Sequence, residues 1–177
     1  MDTLTRLVDN VVIMGKSDWL ESKSPPQDID LVELCQQIWE EVIRGQDSPH
    51  KLVIKEEGER RPFRADLAYI RAMLANLLQN AVKYSPGRPE VVVHILRRRQ
   101  SLVIRVTDYG IGIPADEIDG IFEPFRRAKN TESMSGSGLG LAIVRAAAQA
   151  LGGTTKVKSE LGKGTTFEVI FPEHGDE

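Results

Sequence analysis

The feature that most constrains this chain is a glycine-rich stretch that runs directly into a helical pattern. It reads Gly136-Ser137-Gly138-Leu139-Gly140-Leu141, and the apolar residues over 142–151 that follow have helical spacing. Glycine lets a backbone approach a bulky anion, and the following helix directs free N–H groups and its positive dipole end at that anion. The stretch therefore predicts a phosphate site, with an ordinary linker as the alternative.

A second stretch places polar side chains on an otherwise apolar helix. At about 100° per residue, Asn76, Asn80 and Lys83 fall within about 60° of one another. Leu77 and Leu78 lie on a different face of the same helix. Two amides and an ammonium in register predict a binding face, although a buried asparagine can also bond only to the backbone.

A third stretch follows an apolar strand pattern. Leu102, Ile104 and Val106 alternate along the strand, which runs into Asp108-Tyr109-Gly110-Ile111-Gly112. Asp108 fits an ordinary turn residue. That interpretation leaves the two glycines unexplained.

A fourth stretch, Phe122-Glu123-Pro124-Phe125, lies between the third stretch and the glycine-rich one. In chain order, the four stretches resemble the N, G1, F and G2 boxes of the GHKL ATP-binding superfamily, and within it the catalytic domain of sensor histidine kinases. The resemblance covers roughly residues 29–172, and together with the strand and helix patterns it implies the Bergerat fold. That fold is an α+β two-layer sandwich, with a mixed, mainly antiparallel sheet of about five strands and three helices on one face. The matching segments are 76–84, 108–112, 122–125, 136–141 and, for the last box, 162–167.

Composition agrees with one folded domain. The chain has 177 residues, 41% of them hydrophobic, and a formal net charge of −3, which gives no electrostatic case for nucleic acid. Arg97, Arg98 and Arg99 are interpreted as a solvated hairpin tip, since no aromatic residues accompany them. Cys35 is the only cysteine, and it belongs to an apolar set with helical spacing, Leu31, Leu34, Cys35, Ile38 and Val42, which predicts a core position.

Several features bound the domain and its location. Apolar residues spaced as in a coiled-coil seam or a plain amphipathic helix lie near the N-terminus: Leu4, Leu7, Val11 and Met14. By resemblance, 1–16 is the end of a dimerisation hairpin helix, followed by a linker over 17–28, the ATP-binding domain over 29–173 and a tail over 174–177. No apolar run is long enough to span a bilayer, so we expect a cytoplasmic domain of a parent that can still be membrane-anchored.

Capping residues and periodicity predict the elements of the domain. Asp30 is expected to cap a helix that ends near Arg44, and Asp66 a helix that ends at Tyr84. Gly152 and its neighbour are expected to terminate the third helix. Strands are predicted near residues 52–55, 63, 91–97, 102–108, 154–159 and 165–171.

The chemistry of ATP with Mg²⁺ gives roles to the helix residues. A neutral amide oxygen can join the oxygen shell of Mg²⁺ without adding repulsive charge. Asn80 is therefore the predicted metal ligand, with Asn76 close by. Lys83 is expected to reach phosphate oxygens, and Tyr84 to line the nucleotide pocket.

At the other end of the nucleotide, the resemblance implies that Asp108 accepts a hydrogen bond from the exocyclic amine of adenine. Guanine presents an acceptor at that position. Gly110 and Gly112 are expected to let the chain pass close to the base, with Ile113 beside them. Thr166 is expected to support the adenine end.

The segment between the F and G2 boxes, residues 126–135, is polar and short of core residues. It is a mobile loop by composition and, by resemblance, the lid over ATP. Phe122 and Phe125 are expected to anchor this lid, and Phe125 is included among the nucleotide-site residues. Arg127 matches a basic position of the family and is expected to touch the terminal phosphate or the partner domain.

Kinases of this family phosphorylate a histidine that precedes an acid and Arg-Thr-Pro on the dimerising hairpin. His50, His94 and His174 lack that context, so the acceptor is expected on a separate dimerisation domain. The resemblance also implies a homodimeric parent and a response regulator receiver domain as partner, with no nucleic-acid or membrane contact by this segment.

Three alternatives remain open. Water-activating GHKL ATPases carry a Glu at the first N-box position, where this chain has Asn76, and an amide is no useful general base. Anti-sigma-type serine kinases also resemble the Glu pattern more closely. A nucleotide-binding module without catalysis is the third alternative, and the intact phosphate and metal positions disfavour it.

Overall fold

The computed structural model describes residues 25–44, 48–131 and 134–172. The predicted hairpin helix over 1–16 and the tail over 174–177 lie outside these residues. Strand β1 (Gln27–Ile29) pairs antiparallel with β3 (Phe63–Ala65). Its first two residues, which the sequence pattern assigned to the linker, are therefore part of a strand.

Five of the described strands form one mixed sheet. They are β2 (Lys51–Glu57), β4 (Glu90–Arg98), β5 (Ser101–Asp108), β6 (Thr154–Glu160) and β7 (Gly164–Pro172). Their order is β2-β4-β5-β7-β6, with β2 parallel to β4 and every other neighbouring pair antiparallel. The predicted mixed, mainly antiparallel sheet is confirmed.

Three α-helices within the described residues accompany the sheet: α1 (Leu31–Ile43), α2 (Leu67–Lys83) and α3 (Gly140–Ala150). Asp30 caps α1 by accepting from the N–H groups of Val32 and Glu33, and Asp66 caps α2 by accepting from that of Ala68. These caps fix where the chain leaves an extended conformation and enters each helix. None of the described helices is long and apolar enough to cross a membrane.

The core lies between the helices and one face of the sheet. Alternate strand residues point into it, because side chains of a strand alternate between faces. The buried strand residues of this cluster include Val91, Val93, Ile95, Leu102, Ile104, Val106, Phe167, Val169 and Phe171. Cys35 joins the same core with no exposed surface, and burial raises the pKa of its thiol to about 12. Its predicted role as a core residue is confirmed.

Register decides which polar residues share that face. Asp108 at the end of β5 lies opposite Val91 of β4 and Thr165 of β7. It belongs to the same alternating set as Ile104 and Val106, so its carboxylate lies on the helix side of the sheet.

Candidate functional site

A cavity of about 540 Å³ is lined by α2, the start of α3 and the loop after β5. Segments that are far apart in the sequence meet there because α2 packs beside α3 over the central strands. Most of the predicted site residues line this cavity. They are Asn76, Asn80, Lys83, Tyr84, Asp108, Gly112, Ile113, Arg127, Gly136, Ser137, Gly138, Gly140 and Leu141.

The two asparagines of α2 lie beside the first residue of α3. Asn76 Nδ2 donates to the carbonyl of Ala72 at 2.8 Å, which orients its Oδ1 toward Gly140. A Cβ on Gly140 would lie 3.0 Å from Asn76 Oδ1 and 3.8 Å from Asn80 Nδ2. No side chain caps α3, so the N–H groups of its first turn are left for a ligand or water.

Lys83 brings positive charge to the same end of the cavity. Its Nζ donates to the Tyr84 hydroxyl at 2.9 Å and lies 4.6 Å from the centre of that ring. A Cβ on Gly136 would lie only 2.6 Å from Lys83 Nζ. Glycine at this position therefore lets the predicted phosphate stretch lie directly against the ammonium.

Asp108 supplies a buried carboxylate at another part of the cavity wall, with only 5% of its surface exposed. Its Oδ1 accepts from the N–H of Gly110 at 2.9 Å, and the backbone of Thr165 also donates to the carboxyl group. Burial raises the pKa of Asp108 to about 6, and the two backbone hydrogen bonds oppose that shift. At neutral pH the group is mainly an ionised acceptor.

The two glycines after Asp108 lie where the loop packs against neighbouring segments of backbone. A Cβ on Gly110 would lie 1.9 Å from the carbonyl oxygen of Tyr84, and one on Gly112 would lie 2.1 Å from that of Glu160. Both glycines therefore let the loop pack closely against neighbouring backbone. The N–H of Ile111 completes this packing by donating to Tyr84 O at 2.9 Å.

Thr166, which was expected to support the adenine end, does not line the cavity. It pairs with Thr107 across the β5–β7 ladder, and the two hydroxyls lie 2.9 Å apart. Because side chains alternate along a strand, Thr166 points to the sheet face opposite Asp108. Its neighbour Thr165 is the residue that contacts the Asp108 carboxylate.

The two F-box phenylalanines have different environments. Phe122 is buried and packs edge-on against Phe167, with ring centres 6.0 Å apart, so its predicted anchoring role agrees with the packing. Phe125 is 71% exposed and has a φ of 61°. It neither anchors the loop nor lines the cavity. A Cβ on Gly138 would lie 2.8 Å from the Phe125 carbonyl carbon.

The predicted lid begins with two arginines that line the cavity. Arg127 donates to the carbonyls of Thr131 and Met134, so its guanidinium braces the lid itself. Arg126 is exposed. Residues 132 and 133 of the predicted lid lie outside the described residues.

The cavity also includes residues to which the sequence analysis gave no individual role: Gln79, Ile111, Ile121, Arg126, Ala128, Thr131, Ser135 and Phe167. Helical spacing with Asn76 and Lys83 could have identified Gln79. Phe167 required the strand register. Four predicted residues do not line the cavity, namely Gly110, Phe125, Leu139 and Thr166. Leu139 is 1% exposed and so is buried in the protein.

The donor set suits an elongated ligand with an anionic end and a polar base. Amide groups, an ammonium and an uncapped helix start serve the anion, whereas an ionised carboxylate serves an amino group on the base. No group of three or more His, Cys, Asp or Glu in the described part of the chain could hold a metal. Fold and cavity together define an α+β nucleotide-binding domain.

This chain belongs to the family described as "Histidine kinase-, DNA gyrase B-, and HSP90-like ATPase", whose model matches residues 65–175. The predicted family is confirmed. The chain is 34% identical over 149 residues to "Adaptive-response sensory kinase SasA" of Synechococcus elongatus, covering 83% of this chain and 38% of that protein. It is 42% identical over 96 residues to "Signal transduction histidine-protein kinase ArlS" of Staphylococcus aureus, covering 53% and 21%.

The chain thus spans less than two fifths of the length of these curated relatives. Among solved structures, "Mycobacterial sensor histidine kinase MprB" superposes with a TM-score of 0.72 at 28% identity, covering 85% of this chain and 100% of that one. "ShkA full-length in complex with AMPPNP" gives a TM-score of 0.80 at 26% identity, covering 98% and 37%. The predicted two-layer fold is confirmed.

Proposed function

We propose that this chain is the ATP-binding catalytic domain of a sensor histidine kinase. It binds ATP with Mg²⁺ and transfers the γ-phosphoryl group to a histidine on a separate dimerisation domain. One observation carries the proposal. A single cavity joins the buried Asp108 carboxylate to the polar face of Asn76, Asn80 and Lys83 and to the uncapped start of α3.

The two ends of the cavity bind different parts of ATP. Asp108 accepts a hydrogen bond from the exocyclic amine of adenine. Lys83 and the first-turn N–H groups of α3 receive the phosphates, and Gly136 and Gly140 provide the space for them. This division holds the transferred phosphoryl group in one place, which is the main task of a phosphoryl-transfer enzyme.

The side chains also fit Mg²⁺ held largely by phosphates and water. Such a site needs only one or two protein oxygens, and we assign this role to Asn80, with Asn76 beside it. When bound, the metal neutralises charge that develops on the phosphate oxygens. Asn80 would hold the ion through its side-chain oxygen.

Histidine kinase activity fits the cavity better than ATP hydrolysis. Water activation needs a general base near the terminal phosphate. Among the described residues that line the cavity, Asp108 is the one carboxylate, and it is committed to the adenine end. Asn76 has no basic group, and its Nδ2 is bonded to the helix backbone.

The described histidines are poor acceptors. His50 Nε2 lies 3.1 Å from the carbonyl of Ser85, and His94 lies on β4 with its Nε2 2.9 Å from Glu57. Neither lines the cavity. The acceptor histidine is therefore assigned to a dimerisation domain of the parent kinase. We infer that this parent is a homodimer whose catalytic domain lies in the cytoplasm. A response regulator receiver domain then accepts the phosphoryl group from the histidine.

Calorimetry tests the nucleotide assignment directly. The chain should bind ATP in the presence of Mg²⁺ and prefer it over GTP by at least about fivefold, since one unpaired buried polar group costs about 1 kcal/mol or more. Asp108→Asn should reduce that preference while the domain remains folded. Absence of Mg²⁺-dependent ATP binding by the wild-type chain would reject the proposed function.

A further inference from the structure

Two side-chain hydrogen bonds that the proposed function does not require hold the segment after the F box, which begins at residue 126, against the rest of the domain. The first helical turn of this segment is a single 3-10 turn, Lys129–Thr131. Glu117 contacts the start of this turn, and Asn130 extends from its centre to the loop after β5.

Glu117 lies in the short 3-10 helix Ala115–Gly120 and is only 6% exposed. Its Oε2 accepts from the backbone N–H of Lys129 at 2.9 Å, and its Oε1 lies 3.8 Å from Lys129 Nζ. A buried carboxylate without donors is costly. When the turn packs against Glu117, it therefore also provides a hydrogen-bond donor for the buried carboxylate.

Asn130 connects the same turn to the adenine side of the cavity. Its Nδ2 donates to the carbonyl of Gly112 at 2.8 Å. Gly112 lines the cavity and is flanked by Ile113, whose N–H donates to Ser159 Oγ at 2.8 Å. Asn130 thus attaches the turn to the loop after β5, and this loop is held in place by other hydrogen bonds.

Beyond the turn, the chain reaches the phosphate end. Thr131, Ser135 and Gly136 line the cavity, and Gly136 lies against Lys83 Nζ. The position of the turn therefore determines where the phosphate-side wall begins.

We propose that Glu117 and Asn130 are positioning residues that couple the adenine loop to the segment facing the phosphates. The proposal rests on the proposed function, because it assumes that adenine lies at Asp108 and phosphates at Lys83. Loss of either hydrogen bond leaves the adenine loop intact but loosens the attachment of the phosphate-side wall, which then depends more on Arg127. ATP therefore loses affinity, whereas adenosine does not.

The test compares ATP with Mg²⁺, measured by calorimetry, and adenosine, measured by NMR titration. Glu117→Met and Asn130→Ala should weaken ATP binding about fivefold to tenfold, which corresponds to one lost hydrogen bond. Adenosine binding should change by less than about twofold. Hydrogen exchange at the Lys129 amide should accelerate in Glu117→Met, because its acceptor is gone.

Two further variants separate positioning from simple support of the fold. Glu117→Gln retains a carbonyl acceptor for Lys129 N–H and should bind ATP as the wild type does. Asp116→Ala changes an exposed acid on the same 3-10 helix and should have no effect on either ligand. If Glu117→Met fails to fold, the exposed Asn130 still carries the test.

Equal losses for ATP and adenosine, or unchanged ATP affinity in both variants, would overturn the coupling. Either result is distinct from failure of the proposed function, which shows as a wild-type chain that does not bind ATP at all.

Discussion

At the scale of single residues, Asp108 has the most unusual environment in the site. Burial opposes its ionisation, whereas the N–H of Gly110 and the backbone of Thr165 favour it. Since the pKa is about 6 rather than 3.8, folding at neutral pH has to bury a carboxylate that would be more stable in water. That cost is reasonable if the carboxylate recognises a ligand.

The raised pKa of Asp108 predicts how the free energy of unfolding changes with pH. A raised pKa in the folded state adds stability that is fully present below about pH 4 and is lost as the pH rises through about 6. Asp108→Asn removes this dependence. The free energy of unfolding of the variant, minus that of the wild type, should therefore rise by up to about 3 kcal/mol between pH 4 and 7. Urea unfolding of both proteins at several pH values measures it, and a difference independent of pH would contradict the assigned pKa.

Asn80 is tested by its chemistry with Mg²⁺. Asn80→Ala removes the oxygen ligand, whereas Asn80→Asp adds a negative charge that faces the phosphates. Both should lower phosphoryl transfer to a histidine-bearing hairpin by about a hundredfold or more, because metal stabilisation amounts to several kcal/mol. The alanine variant should keep part of its ATP affinity through Asp108.

Transfer assays and melting curves check the Asn80 variants together. Gln149→Ala, at an exposed position of α3, is the matched amide control and should behave as the wild type. A folded Asn80→Ala protein that transfers phosphate at the wild-type rate would remove the metal assignment.

At the scale of elements, the site depends on how tightly loops pack onto each other. The loop after β5 lies between the end of α2 and the turn that joins β6 to β7. Ile111 shows both contacts, since its N–H donates to Tyr84 O at 2.9 Å and its carbonyl accepts from Gly162 N at 2.8 Å. A side chain at Gly110 or Gly112 would separate these elements.

Two glycines of similar backbone conformation isolate that packing effect. Gly112 has a φ of 69° and no room for a Cβ, whereas Gly162 has a φ of 78° and no atom within 4 Å of one. Gly162→Ala should cost only the left-handed strain of about 1 kcal/mol. Gly112→Ala should cost about 2 kcal/mol more, since the Glu160 backbone must move. Thermal unfolding measures both, and equal losses would contradict the packing argument.

At the scale of the whole molecule, the sheet and the helix pair assemble a site from distant segments. Pairing of β5 with β7 brings the last box to Asp108, and packing of α2 beside α3 brings the asparagines to the phosphate stretch. Neither arrangement places a histidine of the described residues in the cavity.

The chain should therefore phosphorylate in trans but not itself. Incubated with labelled ATP and Mg²⁺, it should acquire little acid-labile phosphate. Addition of the histidine-bearing hairpin of its parent kinase should give labelled hairpin, and a hairpin with that histidine replaced by alanine is the control. Strong labelling of the isolated chain would place the acceptor within it.

The sequence by itself determined what depends on short-range interactions. Capping by Asp30 and Asp66, the apolar period of α2 and the glycine-rich start of α3 are local, so helices, strands and motif positions could be predicted closely. The family followed from the same motifs, because their order and spacing are properties of the chain alone.

Only the tertiary structure decided which neighbours those residues meet. Strand register places Thr165, and not Thr166, opposite Asp108, where the backbone of Thr165 donates to the Asp108 carboxyl group. A shift of one residue along β7 would put Thr166 at that position and turn its neighbours to the other face of the sheet. The partners of Gly112 and Glu117 are distant in sequence and leave no local pattern. Contacts of this kind depend on how separate elements pack, and spacing along one element cannot specify them.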